Sequence, residues 1–200
     1  MSQGPLTIGT EAGCLVVRDG PHRARILRHM AQPVSTLYPD WPQYDARLRA
    51  AVRGLAAEQL ALRAGPDHDP VWALAAHVAG ARAYWLCGVF GEPGAERTPF
   101  TEPEAGVGWE DDPNHPRSAD ELEWALESTF AVVRDCLDRW TVDDLTRAAD
   151  RTFRGVTVTH TRASVLNRLC SHDAFHAGEI SQLLGLHALP AIDLWRRPAP

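Results

Sequence analysis

Four stretches of this chain space their apolar residues by three and four positions, and no stretch alternates for long enough to build a sheet, so helices must bury most of the core. Leu48, Ala51, Val52 and Leu55 form the first stripe, which starts at Trp41 and meets its break at Ala64-Gly65-Pro66. Asp69-Pro70 opens the second with a cap and a proline at the first helical position, and Val71, Leu74, Val78, Ala81 and Trp85 carry it to about Phe90. Ser118 and Glu121 make a capping box for the third, whose core face runs through Leu122, Leu126, Phe130, Val133 and Leu137 to Trp140. Thr161 caps the fourth, which continues through Leu166, Leu169, Ile180, Leu183 and Leu184 and stops at Gly185. The expected class is all-α, a four-helix bundle over residues 36–200 in which the four stripes face one another.

The connections are uneven. Residues 91–117 contain nine glycines and prolines together with several acids, too many breakers for regular structure. A crossover loop of this length in a compact domain is commonly a lid or a binding loop, so it is expected to border a site. Phe153, Val156 and Val158 suggest a short extended or hairpin segment before the last helix. Residues 1–35 read as an appendage, with a short strand at Leu15-Val16-Val17 and then a basic helix opened by Gly20-Pro21 and carrying Arg23, Arg25, Arg28 and His29. A solvated face or a dimer contact accounts for that basic segment.

Composition removes several function classes. A chain of 200 residues, 44% apolar, should bury about 70% of its unfolded surface and so needs no disulfide or metal merely to fold. Any metal is then functional. With 26 acidic and 20 basic residues the net charge of −6 repels nucleic acid and anionic membrane surfaces, so neither is an expected partner. Every basic residue is Arg, which excludes lysine Schiff-base chemistry and a lysine-bearing phosphate loop. No apolar run reaches the length of a membrane helix and no secretion signal opens the chain, so a cytoplasmic protein is expected. Its cysteines Cys14, Cys87, Cys136 and Cys170 form no CxxC pair and read as reduced thiols in the core or at the surface.

The histidines carry the chemistry. His172 and His176 lie one helical turn apart on the stripe formed with Leu169, Ile180 and Leu183. Two inward imidazoles need partners, either as a hydrogen-bonded core pair or as metal ligands. His77, on the stripe of Leu74, Ala81 and Tyr84, supplies a third inward imidazole and favours ligation. Three neutral imidazoles leave coordination positions open for water or substrate, as in catalytic zinc sites, and nickel, iron and manganese also accept imidazole. Arg168, one turn before His172, reads either as a clamp for a substrate carboxylate or as a salt-bridged surface residue. Glu179, three residues past His176, would orient a ligand or relay a proton, or else form an ordinary salt bridge. Tyr84 and Trp85 either line a substrate pocket or fill the core.

The segments AAHVAGARAYW around His77 and SHDAFHAGEISQLLG around His172 and His176 resemble the DinB superfamily of four-helix metalloproteins, over roughly residues 40–195. Within it the chain looks most similar to the branch of mycothiol- and bacillithiol-dependent enzymes. That resemblance implies divalent-metal ligands at His77, His172 and His176, the last two in an H-x-x-x-H-x-G segment ending at Gly178. Glu179 stands where many relatives have Gln. The resemblance further implies a low-molecular-weight thiol cosubstrate, transfer or isomerisation on a small electrophile, and a homodimer. One alternative is a noncatalytic metal-binding stress-response protein. Another is an HD-type phosphohydrolase built on His172-Asp173, against which His77 lies far upstream and Asp193 falls in a proline-bounded tail.

Overall fold

The computed structural model describes residues 7–11, 14–18, 24–27 and 32–194. The chain divides into two compact units, Met1–Gln32 and Pro33–Pro200. In the first, strands β1 (Thr7–Glu11), β2 (Cys14–Arg18) and β3 (Ala24–Leu27) pair antiparallel in that order. The expected strand at Leu15-Val16-Val17 is β2. The expected basic helix is not formed: Arg25 lies in β3 and pairs with Val17. Arg23 and Arg25 also fit the period of two of a strand, and the β-branched Val16 and Val17 offer β3 an edge to pair with. Arg23, Arg28 and His29 lie outside the described residues.

The second unit is mostly helical. Its elements are α1 (Trp41–Val52), a single turn α2 (Ala57–Leu60), α3 (Val71–Ala83), α4 (Ala119–Arg139), the hairpin β4 (Ala148–Phe153) and β5 (Val156–Thr161), and α5 (Arg162–Leu186). Helix α3 packs on α4 and α5, and α1 packs on the same two. A strictly all-α reading is therefore corrected by the β4–β5 sheet, as well as by the three strands of the first unit. Arg154 and Gly155, both at positive φ, form the two-residue turn whose twist joins Phe153 to Val156.

Local sequence explains the boundaries. The Ser118 hydroxyl accepts from the Glu121 backbone N–H while Glu121 accepts from the Ser118 N–H, and Thr161 and Ser164 exchange the same pair of bonds at the start of α5. Helix α1 stops at Val52, earlier than the Ala64-Gly65-Pro66 break, because Gly54 takes the left-handed conformation at φ 78°. Asp69 does not cap α3. Pro70 precedes the helix with no side-chain cap bond, and the Val71 N–H is satisfied by the Leu62 carbonyl. Beyond Ala83 the helix widens into a π-helical segment, Tyr84–Val89, which brings Trp85, Leu86 and Cys87 into the interior in succession.

The core is two apolar clusters with a polar layer between them. Along α1 the order is Trp41, Asp45, Leu48; along α3 and the π-helical segment that continues it, Ala79, Arg82, Leu86; along α5, Leu169, Asp173, Ala177. In each triplet the flanking residues belong to different clusters, and the middle one is buried and charged. Arg82 is fully buried: Nη1 donates to Asp45 at 2.8 Å and to the Leu126 carbonyl at 3.1 Å, and Nη2 donates to Asp173 at 2.7 Å. The Trp41 indole N–H and the Arg49 guanidinium complete the layer on Asp173 and Asp45, each at 2.8 Å. Such a layer is tolerable only because its lone pairs and protons are matched.

The long loop is pinned along its length. Buried Glu92 accepts from Arg139 at 2.6 Å and from Arg162. Phe100 is buried against Gly80 and stacks at a tilt on Trp109, over which the Arg117 guanidinium lies at 4.4 Å. Single helical turns at Ala95–Arg97, Pro103–Ala105 and Trp109–Asp111 interrupt it, regular structure that the density of glycine and proline did not suggest. Gly88 is needed where the loop crosses the π-helical segment, since a Cβ there would stand 2.9 Å from the Pro103 backbone.

Candidate metal centre

Helix α3 presents His77 and helix α5 presents His172 and His176, and one ring nitrogen from each lies within 4.8 Å of the others. The rings are in mutual contact, with centroids 4.8 Å apart for His77 and His172, 5.1 Å for His77 and His176, and 4.4 Å for His172 and His176. All three side chains are partly buried. The spacing of four on α5 sets the second pair, whereas His77 is brought in by the packing of α3 against α5.

Two carboxylates fix the orientation of two rings. Glu110 Oε1 lies 2.6 Å from His77 Nδ1, and Glu179 Oε2 lies 2.6 Å from His176 Nδ1. A carboxylate only accepts, so in each case Nδ1 carries the proton and Nε2 is the nitrogen left for a ligand. Glu179 was legible from its spacing. Glu110 was not: it comes from the last turn of the long loop, and its only advance sign was that loop's length and acidity. Gly108 makes room for it, because a Cβ at that position would occupy the place of the Glu110 carboxylate.

The third ring differs. His172 Nε2 faces His77 Nε2 at 3.0 Å, and His172 Nδ1 is buried with no hydrogen-bond partner among the described residues, as is Glu110 Oε2. The Glu110 hydrogen bond holds the His77 imidazolium above the ordinary histidine range against the opposing effect of burial. Burial, with the neighbouring imidazoles of His176 and His77, pushes His172 down to about 3. His172 is thus neutral at neutral pH, and a donor set of three imidazoles with two carboxylates behind them fits a divalent ion. Removing Glu110 as Glu110→Ala is expected to weaken zinc affinity by about 10- to 100-fold while leaving the helices formed. Competition with a chromophoric chelator measures this, and unchanged affinity would show that Glu110 does not support the ring.

The other anticipated residues fall around an adjoining cavity of about 510 Å³, lined by His77, His172, Tyr84, Trp85 and Arg168 and covered by the loop at 103–108. Trp85 is buried and also belongs to the core, with the Arg168 guanidinium 5.0 Å from its ring centroid. Arg151 of β4, which the sequence did not single out, reaches the same cavity and donates to the Tyr84 hydroxyl at 2.7 Å. Asp173 is turned away from the histidines, toward Arg82 and Trp41. Burial raises the thiol pKa of Cys87 to about 11 and of Cys136 to about 12, and it also raises that of Cys170, so none of the three is an activated nucleophile.

No helix among the described residues is long and apolar enough to cross a membrane. A search of curated proteins gives no match. Among solved structures, the chain resembles a DinB-like protein from Bacillus cereus ATCC 10987, with a TM-score of 0.61 and 21% identity. The match covers 81% of this chain and 97% of that one, and at this identity it speaks for the fold. The model of the DinB superfamily matches residues 43–180, more than half of the sequence and inclusive of all three histidines, and the chain belongs to that superfamily.

Proposed function

We propose that this chain is a divalent-metal-dependent enzyme that activates a low-molecular-weight thiol of the mycothiol type, or water, for transfer or isomerisation on a small electrophile. The observation that carries this reading is the convergence of three imidazoles beside a cavity of about 510 Å³. Three protein ligands leave open positions, and the cavity gives a small molecule access to His77 and His172. His77, His172 and His176 would hold the ion, with zinc the first candidate and nickel, iron and manganese the alternatives. A bound divalent ion supplies the Lewis acidity that lowers the pKa of a coordinated thiol or water. Glu110 and Glu179 hold the protons of His77 and His176 at Nδ1, and the loop over the cavity restricts water. With Cys87, Cys136 and Cys170 unactivated, an external thiol is the natural nucleophile. The protein is proposed to act as a cytoplasmic homodimer.

Asp173 argues against a His-Asp phosphohydrolase, since its carboxylate is spent on Arg82 and Trp41 and is absent from the histidine cluster. The deciding experiment measures metal content of tag-free protein together with thiol consumption against a panel of electrophiles. About one divalent ion per chain with metal-dependent thiol consumption is the expected result. Metal without any turnover would leave a noncatalytic binding protein, and failure to take up zinc or nickel at all would remove the enzyme reading.

A further inference from the structure

Two guanidinium groups that no carboxylate among the described residues neutralises reach the cavity beside the histidines. Arg151 comes from β4 and Arg168 from α5, and neither has an ion-pair partner among the described residues. Both stack on Trp85, with Cζ at 5.2 Å from its centroid for Arg151 and 5.0 Å for Arg168. Arg151 also lies over Phe153 at 4.6 Å and gives its Nε proton to Tyr84. Stacking engages the face of a guanidinium and leaves its edge donors free, so the terminal amino groups of Arg151 and the whole fork of Arg168 remain available. The acids on the loop wall do not fill them: Glu110 is bonded to His77, and Glu104 is exposed and outside ion-pair reach. Nearby His160, 4.8 Å from the Trp85 ring, is shifted below the ordinary histidine range first by burial and then by Arg168 and Arg151.

We propose that Arg151 and Arg168 form an anion subsite that grips the carboxylate of a small, flat organic acid, with its apolar body against Trp85 and Phe100 and its reactive end toward His77 and His172. A forked guanidinium matches a carboxylate with paired hydrogen bonds, and the cavity wall carries two of them, each held against the Trp85 indole. The cavity volume of about 510 Å³ suits a molecule of this class. The inference deepens the proposed function by naming its substrate class, and it rests on the cavity being the substrate chamber of that enzyme.

The test is calorimetric titration with benzoate, and with neutral benzamide as its control, on wild type and on the Arg151→Gln and Arg168→Gln variants, each in zinc-loaded and in chelator-treated form. Benzoate is expected to bind wild type in both forms and each variant about tenfold more weakly, with benzamide no better than the variants and with metal content unchanged by either substitution. Arg168 is exposed on a formed helix, so its variant remains informative if the hairpin substitution disturbs folding. Equal binding of benzoate by wild type and both variants, or equal binding of benzoate and benzamide, would overturn the subsite. Benzoate binding that vanishes with the metal and ignores both arginines would also overturn it, by placing the carboxylate on the ion. Because the chelated arm reads the arginines without metal, failure of the metal reading leaves this outcome separately visible.

Discussion

Arg82→Met is expected to lower the unfolding free energy by about 3–5 kcal/mol, the largest single-residue effect in the described core. The side chain is fully buried, and its fork is divided between two buried carboxylates, Asp45 and Asp173, and the Leu126 carbonyl. Removing the cation leaves Asp45 with Arg49 and Asp173 with the Trp41 N–H alone, in an interior where an unpaired charge is far more costly than a lost hydrogen bond. Arg82→Lys should recover little, because an ammonium group cannot span both carboxylates. The informative partner is Asp173→Asn in the Arg82→Met background: deleting both charges together should recover part of the loss and show coupling in a double-mutant cycle. Urea unfolding followed by circular dichroism measures wild type, the two Arg82 variants, Asp173→Asn and the double mutant. A loss below about 1 kcal/mol for Arg82→Met would mean that the layer contributes no more than an exposed ion pair.

His172→Ala and His176→Ala are each expected to reduce bound metal from about one ion per chain to less than about a tenth after dialysis against a weak chelator, because two imidazoles hold a divalent ion far less tightly than three. Helicity should be preserved, since the ligands lie at the edge of the core and Leu169, Ile180 and Leu184 on the same helix keep their packing. His77→Ala should behave alike and also free Glu110 from its ring. Elemental analysis beside far-ultraviolet circular dichroism separates the outcomes. Metal retained in any one variant would remove that histidine from the ligand set, and global unfolding would make the cluster a structural network instead.

What the sequence disclosed was local. The Ser118-Glu121 box, the Thr161 cap and the pair at His172 and His176 are all relations within four residues, which helix geometry alone converts into positions. His77 was recognisable because an imidazole on an otherwise apolar helix needs a reason. Arg82 sits on the same helix and posed the same question, but its answers lie at Asp45 and Asp173, on helices whose neighbours are fixed only by the assembled fold. Glu110 and Arg151 were hidden for a related cause: one belongs to an irregular loop and the other to a hairpin, and neither segment has a periodicity that tells which way a side chain will face. The expected basic helix before residue 30 failed where charges spaced to suit two periods were read with one.

The charged layer also works as an alignment key. Asp173 follows His172 directly, and Arg82 follows His77 by five positions on a single helix, so the salt bridge and the imidazole cluster are two readings of one relative placement of α3 and α5. Leucine and valine surfaces tolerate sliding by a turn of about 5.4 Å, whereas a guanidinium fork divided between two carboxylates does not. The aperture between His77, His172 and His176 is therefore set when the chain folds, before any ion arrives. A divalent ion entering the cluster would meet a frame whose size the helix packing has set, which would lower the ordering cost of binding.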